Sequence, residues 1–170
     1  MAEAKTTYST NTNITLDLSS LATSSTFLGG RESTQIDNSS TLYMDALVDA
    51  DGITGHASTA PVIGQMIQIY VWGSDTSLST TAIDVLDGTD SAETLSQAHV
   101  LNGLRFAAAA SVTVATAALV YNFSPFTIAP LFGGVLPKFW GLFVAHNHAG
   151  NLGASNNAKF RFHGITYTIA

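Results

Sequence analysis

Two runs near the end of the chain decide the fold: Leu136-Pro-Lys-Phe-Trp-Gly-Leu-Phe-Val-Ala145 and Lys159-Phe-Arg-Phe-His-Gly-Ile-Thr-Tyr-Thr168. In the first, Phe139, Gly141 and Phe143 fall on one side of an extended chain and Trp140, Leu142 and Val144 on the other. Both sides must be covered, as in the middle of a sheet. In the second, Phe160, Phe162, Ile165, Tyr167 and Ile169 alternate with Lys159, Arg161, Thr166 and Thr168, and the alternation slips by one residue at His163-Gly164. The slip predicts a β-bulge relieved by glycine. The linking stretch Asn147-His-Ala-Gly-Asn-Leu-Gly-Ala-Ser-Asn-Asn157 is dense in residues that tolerate turns. Together these runs predict a long closing hairpin, which the rest of the chain must sandwich.

The composition agrees with strands. Of 170 residues, 46% are apolar and only 11% are charged, against about 25% charged in ordinary domains. Ser, Thr, Asn and Gly make up the difference, which suits strands and tight turns better than surface helices. A chain of this length is expected to bury one core, over residues 14–170. So few surface charges also lead to the expectation that other subunits cover much of it. All twelve acidic residues lie between Glu3 and Glu93, so that part carries −10 against Lys5 and Arg31, and the remainder carries +4. Four dispersed cations are no nucleic-acid footprint, whereas halves of opposite sign suit the orientation of neighbouring copies. Cysteine is absent, which excludes disulfides and thiolate chemistry.

Outward from the hairpin, residues 1–13 are polar, Thr-rich and without periodicity, and predict a flexible arm that a partner would order. The segments 14–18, 41–48, 63–72, 104–107 and 118–124 read as strands, with 126–129 prolonging the last and one short helix within 94–101. Residues 19–40 and 74–95 read as long connections. The expected fold is all-β, a jelly-roll-like antiparallel β-sandwich of about seven or eight strands. No secretory leader is expected, since Met1-Ala-Glu-Ala-Lys5 runs into polar sequence. The uncharged stretch Phe106 to Pro137 is broken by Pro125, Pro130, Gly133-Gly134 and Pro137. It predicts buried strands and not a membrane span.

Candidate chemistry is sparse. His146 and His148, two apart in the hairpin loop, are the candidate metal ligands, but the sequence places no third ligand nearby and a solvated turn is the simpler reading. Asp49-Ala-Asp-Gly52 opens like a calcium loop, yet the twelfth position is Ala60 instead of Glu. Asp84, Asp87 and Asp90 read as solvated turn residues. His56 and His99 are isolated, and no phosphate loop or nucleophile elbow is present. No catalytic residue and no cofactor is therefore expected. Tyr70, Trp72, Phe139 and Trp140 lie within strand runs, where core packing is the commoner use of a ring than a sugar-stacking platform.

The segment Phe126-Thr-Ile-Ala-Pro-Leu-Phe-Gly-Gly-Val-Leu-Pro-Lys-Phe-Trp-Gly-Leu-Phe-Val-Ala-His-Asn-His-Ala-Gly-Asn-Leu152, closed by Phe160-Arg-Phe-His-Gly-Ile165, resembles the C-terminal half of small structural proteins of tailed bacteriophages. In these an apolar strand leads into a Gly-Gly-x-Leu-Pro turn, a second strand and a final strand with an aromatic-x-Gly-Ile step. His146 and His148 depart from that pattern, and residues before about position 100 carry none of it. The resemblance implies a capsid decoration, or cement, protein on the outer face of the virion, made in the host cytoplasm. It also implies a homo-oligomer, a trimer by preference, that clamps adjacent copies of the major capsid protein, with no nucleic-acid or membrane partner. Thr6, Thr7, Tyr8, Thr10 and Asn11 of the arm are the expected contact residues. Deleting the arm is then expected to spare the oligomer and weaken attachment. The alternative is a carbohydrate- or receptor-binding sandwich module of a head fibre or tail.

Overall fold

The structure, a computed structural model, describes residues 4–169. In chain order the strands are β1 (Ala4–Tyr8), β2 (Thr12–Ile14), β3 (Gly29–Glu32), β4 (Ile36–Asp37), β5 (Asp45–Ala50), β6 (Ile53–Thr54), β7 (Met66–Ser74) and β8 (Ser91–Thr94). After a short helix, α1 (Ala98–Gly103), come β9 (Arg105–Ser111), β10 (Val120–Tyr121), β11 (Phe126–Thr127), β12 (Phe139–His146) and β13 (Phe160–Ile169), with a 3-10 turn at Ala129–Phe132. One antiparallel sheet runs β1-β13-β5-β11, with β2 also on β13. The other runs β8-β3-β12-β7-β9, with β4 also on β12, and β6 pairs with β10 apart from both. The fold is an all-β antiparallel sandwich.

The two runs expected to close as a hairpin do not pair with each other: β12 pairs with β7, β3 and β4, and β13 with β5, β1 and β2. Each is a central strand of a different sheet, and the loop between them crosses the sandwich. Trp140, Leu142 and Val144 of β12 meet Ile67, Ile69 and Val71 of β7 in the main core, together with Ala46 and Val48 of β5 and Phe160 and Phe162 of β13. The Trp140 indole meets Phe162 edge-on, with centroids 5.4 Å apart at 81°, the arrangement that ring quadrupoles favour. The opposite face of β12 and β7 is covered as well. Phe143, Ala145 and Trp72 pack there under Leu78, Leu86, Leu95 and Leu104. Residues 75–104, irregular in sequence, thus form a lid over a second apolar cluster.

Several elements differ from expectation. β13 has no bulge: its register with β5 runs unbroken from Phe160 opposite Ala50 to Ile165 opposite Asp45. The apparent slip arises because Gly164 takes an inward position beneath a ring. A Cβ there would lie 2.4 Å from Tyr43 Cγ, so glycine is present to admit the tyrosine and not to kink the strand. Gly164→Ala is therefore expected to cost about 1–2 kcal/mol by displacing Tyr43, read as a lowered melting midpoint; an unchanged midpoint would mean that the ring is not seated there.

The expected arm is built into the first sheet. Lys5, Thr6, Thr7 and Tyr8 pair with Thr168, Tyr167, Thr166 and Ile165, and β2 pairs with residues 160–162. This stretch lacks apolar periodicity because backbone bonds along the free edge of β13 hold it, with no buried face. Positions 1–3 of the expected arm lie outside the described residues. The strand expected at 14–18 yields to β2 plus a single Asp17–Asn157 bridge, although Leu16 and Leu18 are buried as its alternation requires. β3, β4 and β8 lie within segments read as connections, and β10 and β11 are only two residues each. Among the described residues no helix is long and apolar enough to cross a membrane.

Candidate functional site

The two candidate metal ligands are core residues and not a solvated turn. His146 ends β12 fully buried and His148 is 3% exposed, their rings 5.3 Å apart. The Nε2–H of His146 donates to the Leu21 carbonyl at 2.9 Å and its Nδ1 accepts the His148 backbone N–H at 3.3 Å. Both ring nitrogens are committed, which leaves His146 no lone pair for a metal. Burial holds His146 below the usual histidine pKa; burial, then the nearby His146, pushes His148 down to about 4. The His148 ring lies 4.8 Å from that of Tyr121, and His148 Nε2 and Tyr121 Oη are both buried without a hydrogen-bond partner. His163, on β13, engages the Ser9 carbonyl at 2.9 Å. Among the described residues no three His, Cys, Asp or Glu side chains gather into a metal site.

The acidic segments are occupied by internal partners. Asp49 and Asp51, of the calcium-like stretch, both pair with Arg161. One of the four C-terminal cations thus meets the acidic part of the chain within the same copy. Asp90 is half-buried and not solvated: it pairs with Arg31 at 2.6 Å and accepts the Asp17 N–H at 3.2 Å. Asp84 is exposed and accepts the Ser96 N–H at 2.7 Å, which lowers its pKa.

Sequence reading missed Glu32. Its carboxylate is fully buried on β3, and its two oxygens accept the backbone N–H groups of Asp87 at 3.0 Å and Gly88 at 2.9 Å. Burial nonetheless raises its pKa to about 7, outweighing both hydrogen bonds. With Gln35 N–H donating to the Gly88 carbonyl at 2.9 Å, Glu32 pins the lid turn onto the second sheet. The sequence carries no signal of this, since Gly-Gly-Arg-Glu contains no apolar residue to mark a strand.

The aromatic platform dissolves in the same way. Trp140 and Trp72 are 0% and 1% exposed, and Tyr70 and Phe139 pack against the second cluster. An open groove of about 530 Å³, bordered by Ser20, Thr23, Ser24, Arg31 and Thr94, carries hydroxyls but no aromatic ring.

What remains exposed is the segment expected to touch a partner. Thr6, Thr7, Tyr8, Thr10 and Asn11 are all at the surface. β5 stops opposite Ile165, so Lys5–Thr7 and Thr166–Thr168 form a two-stranded ribbon that runs past the sandwich. Tyr8 and Tyr167, 56% and 60% exposed, stand along it. Comparison of the chain with protein-family models, with curated proteins and with solved structures gives no match.

Proposed function

We propose that this β-sandwich is a virion structural protein that decorates the outside of a tailed-phage capsid and reinforces contacts between major capsid subunits. The observation that carries the reading is the stretch 126–165, whose likeness to phage structural proteins falls on the edge strand β11, the turn after it and the central strands β12 and β13. An exposed Thr-rich ribbon with two tyrosines supports it, because such a surface gives contact area at low desolvation cost. Attachment then adds many modest contacts through the repetition of the shell.

Purified protein mixed with undecorated capsids is expected to bind at a saturating copy ratio and to raise their resistance to heat. No binding, or a glycan-array hit without shell binding, would overturn the reading and favour the carbohydrate-binding module. Because β1 and β2 belong to the sheet, deleting residues 2–13 would strip the edge of β13, so side-chain changes are the cleaner probe. Joint replacement of Tyr8, Thr10 and Asn11 by alanine leaves the β1–β13 backbone bonds intact and is expected to weaken attachment at least tenfold, about 1.4 kcal/mol. Unchanged capsid affinity would move the contact elsewhere.

A further inference from the structure

The ribbon has an open side, and the backbone geometry says which groups face it. Ser9 N–H donates to the Gly164 carbonyl at 2.8 Å, in register with the β1–β13 ladder, in which position 4 faces 169 and Tyr8 faces Ile165. In an antiparallel pair, hydrogen-bonded residues alternate along the strand. Thr7 and Lys5 therefore turn their backbone groups toward β13, and Thr6 and Tyr8 turn theirs away, onto the free edge. Among the described residues the ribbon beyond Ile165 has no third strand, and Lys5, Thr6, Thr7 and Tyr8 are all exposed. A two-stranded ribbon without a covered face is marginal in water.

Other edges of the fold are guarded. β9 carries a register shift opposite Ile69 and Tyr70, and β2, β4, β8 and β11 have only two to four residues each. Bulges, charges and shortness are the devices that stop sheets from adding strands. β1 has neither proline nor bulge, and its one charge is Lys5.

We propose that β1 pairs antiparallel with β1 of a second copy of this chain, about a two-fold axis through Thr6, joining the two β13-containing sheets into one. This register places Thr6 opposite itself, Tyr8 opposite position 4 and Lys5 opposite Thr7, so the two lysines never face each other. The outward N–H and carbonyl groups of Thr6 supply and accept the central bonds, and the isologous contact closes on itself without propagating. Residues opposite one another across a ladder share a face. Thr6, Tyr8 and Tyr167 of each copy thus come to lie on one side of the joined sheet, a row of four tyrosines. The inference does not depend on the capsid reading, and a mass measurement tests it without capsids.

Sedimentation of the full chain is expected to give a two-copy species or an even multiple. Thr6→Pro removes only an outward N–H, which an edge strand tolerates, and is expected to halve the mass with little change in the melting midpoint. The chain has no cysteine, so Thr6→Cys reports the register directly. Opposed Cα atoms about 5.5 Å apart suit a disulfide, and mild oxidation should couple it in high yield while exposed Thr10→Cys stays uncoupled. A monomer, an odd-numbered assembly indifferent to Thr6→Pro, or equal coupling of the two cysteine variants would each overturn the proposal.

Discussion

Trp140→Ala is expected to lower the stability of the fold by about 3–5 kcal/mol, the range for a large aromatic truncated in a core. For a domain of this size that is a fall of roughly 6–20 °C in melting midpoint. The indole is fully buried near the start of β12, against Phe162 across the sandwich. The backbone around it is fixed on both sides: Trp140 itself pairs with Gly73 of β7 and Ile36 of β4, and Phe143 and Val144 pair with both β7 and β3. Such a site cannot collapse, so the lost transfer free energy and the residual cavity both count. Val135→Ala, at a residue 70% exposed, is the matched control and should stay within about 0.5 kcal/mol. A loss below about 1 kcal/mol for Trp140→Ala would place the ring at the surface and restore the sugar-platform reading.

How much of this was legible depended on where the specifying information lies. β12 announces itself because consecutive apolar residues leave neither face free for water, and β7 because Ile67, Ile69 and Val71 alternate with longer, partly wetted side chains. In both, the local pattern and the global packing agree. β3, β4 and β8 have no such pattern. β3 and β4 are strands because β12 offers open backbone groups beside them, and β8 because β3 then does the same, information held by the partner and not by Gly-Gly-Arg-Glu or Ser-Ala-Glu-Thr. β1 is the extreme case, held wholly by backbone pairing.

The polar core was the least legible part. Glu32 is buried by a turn 55–56 residues further on, and His146 by the Leu21 carbonyl 125 residues earlier. Nothing local distinguishes such groups from solvated ones. Pairing of Asp49 and Asp51 with Arg161 likewise joins residues that the linear charge division had set apart.

These buried groups give the molecule a folding stability that should change only shallowly between pH 4.5 and 6.5. Glu32 has its pKa raised from 4.5 to about 7. Across that interval the folded protein holds a proton that the unfolded chain has released, so this contribution is fully present below 4.5 and is lost as pH rises through about 7. His148 is lowered from 6.5 to about 4. There the unfolded chain binds the proton and the folded protein does not, so this contribution is present above 6.5 and is lost as pH falls through about 4. Each group alone tilts the profile by up to about 1.4 kcal/mol per pH unit, with opposite signs. The residual slope comes from His146, lowered by burial and therefore acting with His148. Denaturant melts at several pH values separate the two. Glu32→Gln should make stability rise with pH more steeply than in the parent protein. His148→Phe keeps a ring against Tyr121 and removes an unpartnered buried nitrogen, and it should flatten the profile or reverse it. Parallel profiles for all three proteins would mean that neither group is held as its burial demands: the carboxylate would have to reach water past the Asp87-Gly88 turn, and the imidazole past Tyr121.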